Sequence, residues 1–270
     1  GAVKNAIGVG EDEPELRIET EKELAQSCHR IIAPTEKEKN EIVRHYAASP
    51  EKTSVVPCGV NLDLFQPVDK KIARQKLGLD NEKVVLFIGR IEPLKGIDRL
   101  IEAMPHLRNE RSLRLLIVGG DEHSQDEVAR LLALSRDLQV EDLVVFSGTR
   151  DQSELPYYYS AADVSVIPSY YESFGLTALE SLACGTPVVA TDVGDFRNIV
   201  HQGETGYLVT GDTPGEMAGP ISRLLARSGD NAETARSIRE SVNDYSWTNI
   251  ASLIIEECRL MLADFSRLPV

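Results

Sequence analysis

Short apolar runs rich in β-branched residues recur along this chain at 31–33, 53–56, 84–88, 114–118, 143–146, 164–167 and 187–190. Between most of them lie stretches with apolar residues at helical spacing, at 36–47, 97–108, 124–138, 153–161 and 174–184. Strands that are apolar along their whole length need cover on both faces, and intervening helices supply it. The alternation therefore predicts an α/β fold with a doubly wound parallel sheet. With 270 residues, 42% of them hydrophobic, the chain can form one large or two modest domains of this kind.

The pattern is uneven. Residues 1–66 supply mostly helix and two short strands, too few for an α/β layer of their own, so this segment reads as the tail of something larger leading into a hinge. The hinge is "PCGVNLDLFQP", where Pro57, Gly59 and Pro67 break regular structure. A fuller domain is expected over 67–247, and a last helix over 248–270 that returns toward the N-terminal domain, with Trp247 as a packing anchor. In "GEMAGPISRLLA" the Gly219-Pro220 pair argues against one continuous helix and places Pro220 in a first turn.

A formal charge of −14 argues against a nucleic-acid or anionic-membrane partner, because nothing would offset phosphate repulsion. The cysteines at 28, 58, 184 and 258 form no C-x-x-C pair and no framework spacing, so a reduced, cytoplasmic chain is expected. The longest apolar runs are strand-sized, short of an integral membrane segment. The histidines are scattered, and His123 beside Asp121 and Asp126 reads as a solvated loop rather than a metal site.

Ligands of open parallel sheets bind beyond the carboxyl ends of the strands. Five successive strand ends here carry glycine, hydroxyl or charge: Gly89-Arg90 with Lys95-Gly96, Gly119-Gly120-Asp121, Ser147-Gly148-Thr149-Arg150, Ser169 to Ser173, and Thr191 to Gly194. Any one alone is an ordinary turn; together they outline the rim of a crevice. Arg90 and Lys95 sit between a strand end and a helix start, where an anion such as phosphate is favoured. The competing reading is a solvated loop in which Glu92 pairs one of the cations.

In "YESFGLTALESLACGTP" Ser173 is a fair N-cap for a helix from Phe174 to Ala183, with Gly185 ending it and Pro187 beyond. Glu172 then stands outside the helix start, and Glu180 lies further along the helix in a run of small and apolar residues. A carboxylate so embedded is expected to be buried with a partner, and it could accept two bonds from a vicinal diol. Tyr157 to Tyr159 read as packing or snorkelling residues.

"GRIEPLKG" and "ESFGLTALESLACGTPVVATDVG" resemble the retaining nucleotide-sugar glycosyltransferases of GT-B fold, in the group that includes sucrose-phosphate synthases and the glycosyltransferases of mycothiol synthesis. The resemblance runs over about residues 15–262. It implies two Rossmann-like domains, of which this chain holds the donor-binding half and a remnant of the N-terminal one. It further implies that Arg90 and Lys95 hold the diphosphate and that Glu180 binds the ribose. Glu172 and the backbone of Ser173, Phe174, Gly175 and Leu176 would meet the donor sugar, with Thr177 near the phosphates. Gly148 to Arg150 would lie along the base, while Gly89, Gly119 and Gly120 would let the donor approach the backbone. Arg90, Lys95 and Glu172 are the catalytic candidates.

The implied reaction moves a hexosyl group from a nucleoside-diphosphate sugar, UDP-glucose being favoured, to a sugar, sugar phosphate or similar acceptor. The cationic clamp does the work a divalent metal does elsewhere, so no cofactor or metal is required. Two departures stand out: family members often read Gly-Gly-x-x-Glu where this chain has Gly194-Asp195-Phe196-Arg197-Asn198, and, the larger of the two, the N-terminal domain that supplies the acceptor site is expected here only as its tail. The alternatives are a nucleotide-sugar-binding fragment without catalysis, because the missing N-terminal domain supplies half the cleft, and a dinucleotide-dependent oxidoreductase. The latter lacks its G-x-G-x-x-G: Gly8-Val9-Gly10 follows no strand, and Gly119-Gly120 has no third glycine in place.

Overall fold

The computed structural model of the chain describes residues 2, 5, 13–110, 112–211, 213–227 and 232–265; Gly8-Val9-Gly10 lies outside the described residues. The chain divides into two compact units, Gly1–Gly59 with Asp244–Val270, and Val60–Asn243.

The first unit contains helix α1 (Glu15–Ser27), strand β1 (Ile31–Ala33), helix α2 (Glu36–Tyr46) and strand β2 (Thr53–Val55). β1 and β2 form a two-stranded parallel sheet. α2 starts at Thr35, whose Oγ1 accepts from the Glu38 amide at 3.0 Å, satisfying one orphan donor of the first turn. The unit is completed by a helix over Trp247–Phe265. Its Glu257 accepts from Ser54 Oγ at 2.7 Å and pairs with Arg30 Nε at 3.1 Å, which fixes this helix against β2 and the start of β1. Trp247 lies against Gly59 yet stays 54% exposed, so it is a half-packed anchor, not a buried one.

The second unit alternates strand and helix throughout: α3 (Lys70–Leu77), β3 (Lys83–Ile88), α4 (Ile97–Ala103), β4 (Leu113–Val118), α5 (Gln125–Asp137), β5 (Val144–Phe146), α6 (Leu155–Ala161), β6 (Val164–Ile167), α7 (Leu176–Ala183), β7 (Val188–Thr191), α8 (Phe196–Ile199), β8 (Gly206–Val209), α9 (Pro214–Leu225) and α10 (Ala232–Glu240). The six strands are all parallel, in the order β5-β4-β3-β6-β7-β8. This is the doubly wound order, reversing direction between β3 and β6. Val84 to Phe87 of β3 are buried on both faces. Val85 and Phe87 share one core with Leu100, Ile101 and Met104 above them and Ile117 beside them. β3 pairs with β4 along its whole length but with β6 only at Val85↔Val164 and Leu86↔Ser165. Beyond those pairs the chain is free to part, and the crevice of such a sheet opens there.

The doubly wound reading holds, with four differences. β8 ("GYLV") is an edge strand whose two middle residues are only half-buried, so it offers no continuous apolar run. Its presence completes the six-strand order. Helices α3, α8 and α10 fall outside the stretches read as helical, α8 being a single turn. α9 runs straight through Pro220: the carbonyl that the proline leaves without a donor belongs to exposed Glu216, where water can replace the missing N–H. Finally, α7 begins at Leu176 rather than Phe174, with Gly175 as N-cap; Ser173 is exposed and caps nothing. The other end is as read: Gly185 adopts φ 78°, its amide donating to Leu182 and that of Thr186 to Ser181.

Candidate functional site

At the carboxyl ends of β3, β4 and β5 lies a pocket of about 530 Å³, a size suited to a small ligand. Gly89, Arg90, Gly119, Gly120 and Arg150 line it, together with Asp121, Ser124, Thr149 and Leu155. Its floor is backbone. The Gly89 amide donates to Val118 at 3.1 Å, and the Gly119 amide to Gly148 at 3.0 Å, so three strand ends converge on glycines. At Gly119 the requirement is strict: φ is 138°, and a Cβ would land on the Gly89 carbonyl oxygen. Thr149 Oγ1 bonds the Gly120 carbonyl, and Arg150 Nε donates to the Tyr158 hydroxyl at 2.6 Å. His123 also lines the pocket, exposed; among the described residues no group of three His, Cys, Asp or Glu is arranged to hold a metal ion.

The loops after β3 and β6 meet across the switch point. Pro93–Lys95 is a 3-10 turn ended by Gly96 at φ 64°, where a side chain would strike the Pro168 carbonyl. The Tyr170 amide donates to the Leu94 carbonyl at 2.9 Å, tying the two loops together. Lys95 Nζ therefore reaches Glu172 Oε1 at 2.7 Å, with both side chains over four-fifths buried. Ser169 Oγ donates to the same oxygen at 2.9 Å. Arg90 behaves differently: it is 77% exposed and pairs with Glu92 at 3.0 Å, the arrangement that the solvated-loop reading described, though on the pocket wall.

Glu180 is largely buried and accepts from the Tyr159 hydroxyl at 2.8 Å. Desolvation raises its acid to about pH 7, the Tyr159 bond offsetting part of that shift. The Tyr159 hydroxyl is itself pushed well above its usual range by burial and by the carboxylate. Leu155, on the pocket wall, and Tyr159 are four residues apart on α6 and so share a helix face. This links Glu180 to the pocket by one turn of helix.

The structure thus gathers Gly89, Arg90, Gly119, Gly120 and Arg150 in one pocket, and joins Lys95 to Glu172. Of the remainder, Phe174 is buried, Leu176 is half-exposed and Ser173 is exposed at the approach to α7. The first α7 amides with acceptors are those of Ala178 and Leu179, both on Gly175. The Leu176 and Thr177 amides are thus of the kind a helix start leaves free. Sequence reading placed Ser169 on the rim without giving it a role, and passed over Tyr158 and Tyr159 as site residues. A signal existed for the last two: a tyrosine on a buried helix face needs a partner for its hydroxyl.

Residues 69–242 match the family described as Glycosyl transferases group 1, and residues 11–64 match that described as Glycosyltransferase Family 4. The chain belongs to the glycosyl transferases group 1 family. Among relatives, the D-inositol 3-phosphate glycosyltransferase of Gordonia bronchialis is 38% identical over 98% of this chain and 60% of its own length. The chain spans about 60% of the length of the first curated relatives it matches. Among family structures, sucrose-phosphate synthase from Thermosynechococcus elongatus superimposes with a TM-score of 0.85 at 34% identity. That alignment covers 97% of this chain and 66% of that one. Anabaena HepE, solved in complex with UDP, gives 0.81 at 25% identity over 92% and 68%. The fold is accordingly the Rossmann-like half of a GT-B architecture. Among the described residues no helix is long and apolar enough to cross a membrane.

Proposed function

We propose that this chain is the donor-binding portion of a retaining glycosyltransferase that takes a hexosyl group from a nucleoside-diphosphate sugar. The contact that carries the reading is Lys95 on Glu172, a cation and an acid brought together at the sheet's switch point beside a pocket floored with glycine. The diphosphate lies over Gly89, Gly119 and Gly120 with Arg90 and Lys95 on its oxygens. Arg90 leaves Glu92 for the ligand, an exchange made easy by its exposure. The base lies along Gly148 to Arg150, the ribose diol on Glu180, and the sugar at Glu172 and the start of α7. As the glycosidic bond breaks, charge grows on the diphosphate, and preorganised cations favour that state over the ground state.

UDP-glucose is the donor this reading favours, supported by the UDP complex of HepE. The acceptor is a sugar or sugar phosphate; the names of the relatives suggest an inositol phosphate. Residues 1–66 are read as the tail of an acceptor domain, with 67–247 binding the donor. Because the chain spans only part of its relatives, a nucleotide-sugar-binding role without catalysis is the second reading for this polypeptide alone.

Calorimetric titration with uridine, UDP and UDP-glucose tests the assignment. Arg90→Ala and Lys95→Ala should each weaken UDP by about tenfold, the worth of one charge-assisted contact, while leaving uridine nearly unchanged. Equal losses for both ligands would remove the phosphate role.

A further inference from the structure

Ser169 has no exposed surface, stands directly beyond β6, and is held from two sides. Its carbonyl accepts from Thr191 Oγ1 at 2.6 Å, at the end of neighbouring β7, and its own hydroxyl donates to Glu172 Oε1 at 2.9 Å. Lys95 donates to that same oxygen at 2.7 Å. Among the described residues, no donor is placed on Glu172 Oε2.

We infer that Ser169 is a positioning residue: it holds Oε1 of Glu172 so that Oε2 faces the crevice and accepts from a hydroxyl of the donor sugar. This rests on the assignment of Glu172 to the sugar and Lys95 to the diphosphate. The two donors have different fates in that arrangement. A diphosphate competes with Glu172 for the Lys95 ammonium, because a dianion attracts it more strongly than one carboxylate does. Once Lys95 turns to phosphate, a carboxylate held by it alone would rotate freely about its side-chain bonds. The Ser169 hydroxyl makes no contact with the ligand and stays in place. It is buried and cannot turn to water, and its backbone is fixed by the Thr191 bond. Loading the diphosphate therefore releases the cation without releasing the acid, and the sugar meets a carboxylate already aimed.

The test compares UDP with UDP-glucose on the whole chain, since only UDP-glucose reaches Glu172. Ser169→Ala should lower the UDP-glucose affinity by about tenfold, as for loss of a hydrogen bond to a charged group, with UDP held within about twofold. Glu172→Gln should lower the UDP-glucose to UDP ratio as well. Ser169→Ala added to Glu172→Gln should change the ratio no further, which a purely structural serine would not predict. Should Ser169→Ala fail to fold, Ser169→Cys, close in size and a weaker donor, takes its place with the same expectations. An unchanged ratio in the serine variant, beside a lowered one in Glu172→Gln, overturns the inference alone. Equal weakening of both ligands by Ser169→Ala overturns it too. An unchanged ratio in Glu172→Gln overturns the sugar assignment itself.

Discussion

Burial strips the Glu180 carboxylate of hydration, and Tyr159 returns only one hydrogen bond, so the acid titrates at about 7 instead of its ordinary 4.5. The folded value lies above the unfolded one, so the native state holds an extra proton between them. Stability from this group is full below pH 4.5 and is lost as the pH rises through 7, by about 3 kcal/mol in all. Glu180→Gln cannot ionise; urea unfolding at pH 5 and pH 8 should show its stability advantage over the parent growing by a few kcal/mol between the two. A ribose diol that donates into the ionised carboxylate reverses the sign for binding. Affinity for uridine should rise with pH through 7, and the rise should vanish with 2′-deoxyuridine or in Glu180→Gln. A flat profile in the parent would remove the ribose role. At this scale the sequence was half legible. The run "TALESLACG" signals that its glutamate is buried and partnered, because nothing else excuses a charge among small apolar residues. Which partner it takes depends on how α6 meets α7, and no local pattern in "PYYYSA" says which tyrosine turns inward.

Among elements, the central strands announce themselves because both their faces are buried, and the unbroken apolar runs of β3 and β4 follow directly. Edge strand β8 is half-exposed at Tyr207 and Leu208, one on each face, and begins with glycine, so its signal falls to that of a loop. α9 hides for another reason: its Gly219-Pro220 pair mimics a break, yet the helix is held by Met217, Ala218, Ile221 and Leu224 packing into the core. Burial of that face outweighs roughly 3 kcal/mol of proline penalty. Two alanine substitutions separate what glycine does in such elements. Gly219 stands exposed in a helix interior directly before Pro220, whose Cδ crowds a Cβ on the preceding helical residue, so Gly219→Ala should fall short of the stabilisation of about 1 kcal/mol that alanine brings elsewhere in a helix. Gly119 ends β4 with backbone in the way of any side chain, so Gly119→Ala should cost more than about 2 kcal/mol and weaken UDP binding. Thermal unfolding of the pair measures both; a Gly119→Ala protein as stable as its parent would show that the strand ends are not packed as described.

At the scale of the molecule, every residue assigned to the donor lies in one unit. Val60–Asn243 contains the six-stranded sheet, the glycine-floored pocket, the Lys95–Glu172 pair and the Tyr159–Glu180 bond. It also has its own core, whose buried residues run from Val85 to Leu225 without drawing on the other unit. A unit that has its own core and holds every residue assigned to the donor should behave as a domain. The fragment 60–243, produced alone, is therefore expected to unfold in a single cooperative transition. It should bind UDP within about twofold of the full chain. Glycosyl transfer, by contrast, needs an acceptor held as well as a donor. Titrating fragment and full chain side by side decides the matter. A fragment that folds but loses UDP by about tenfold or more would mean that residues outside it hold the nucleotide, and the donor assignment would have to be redrawn around them.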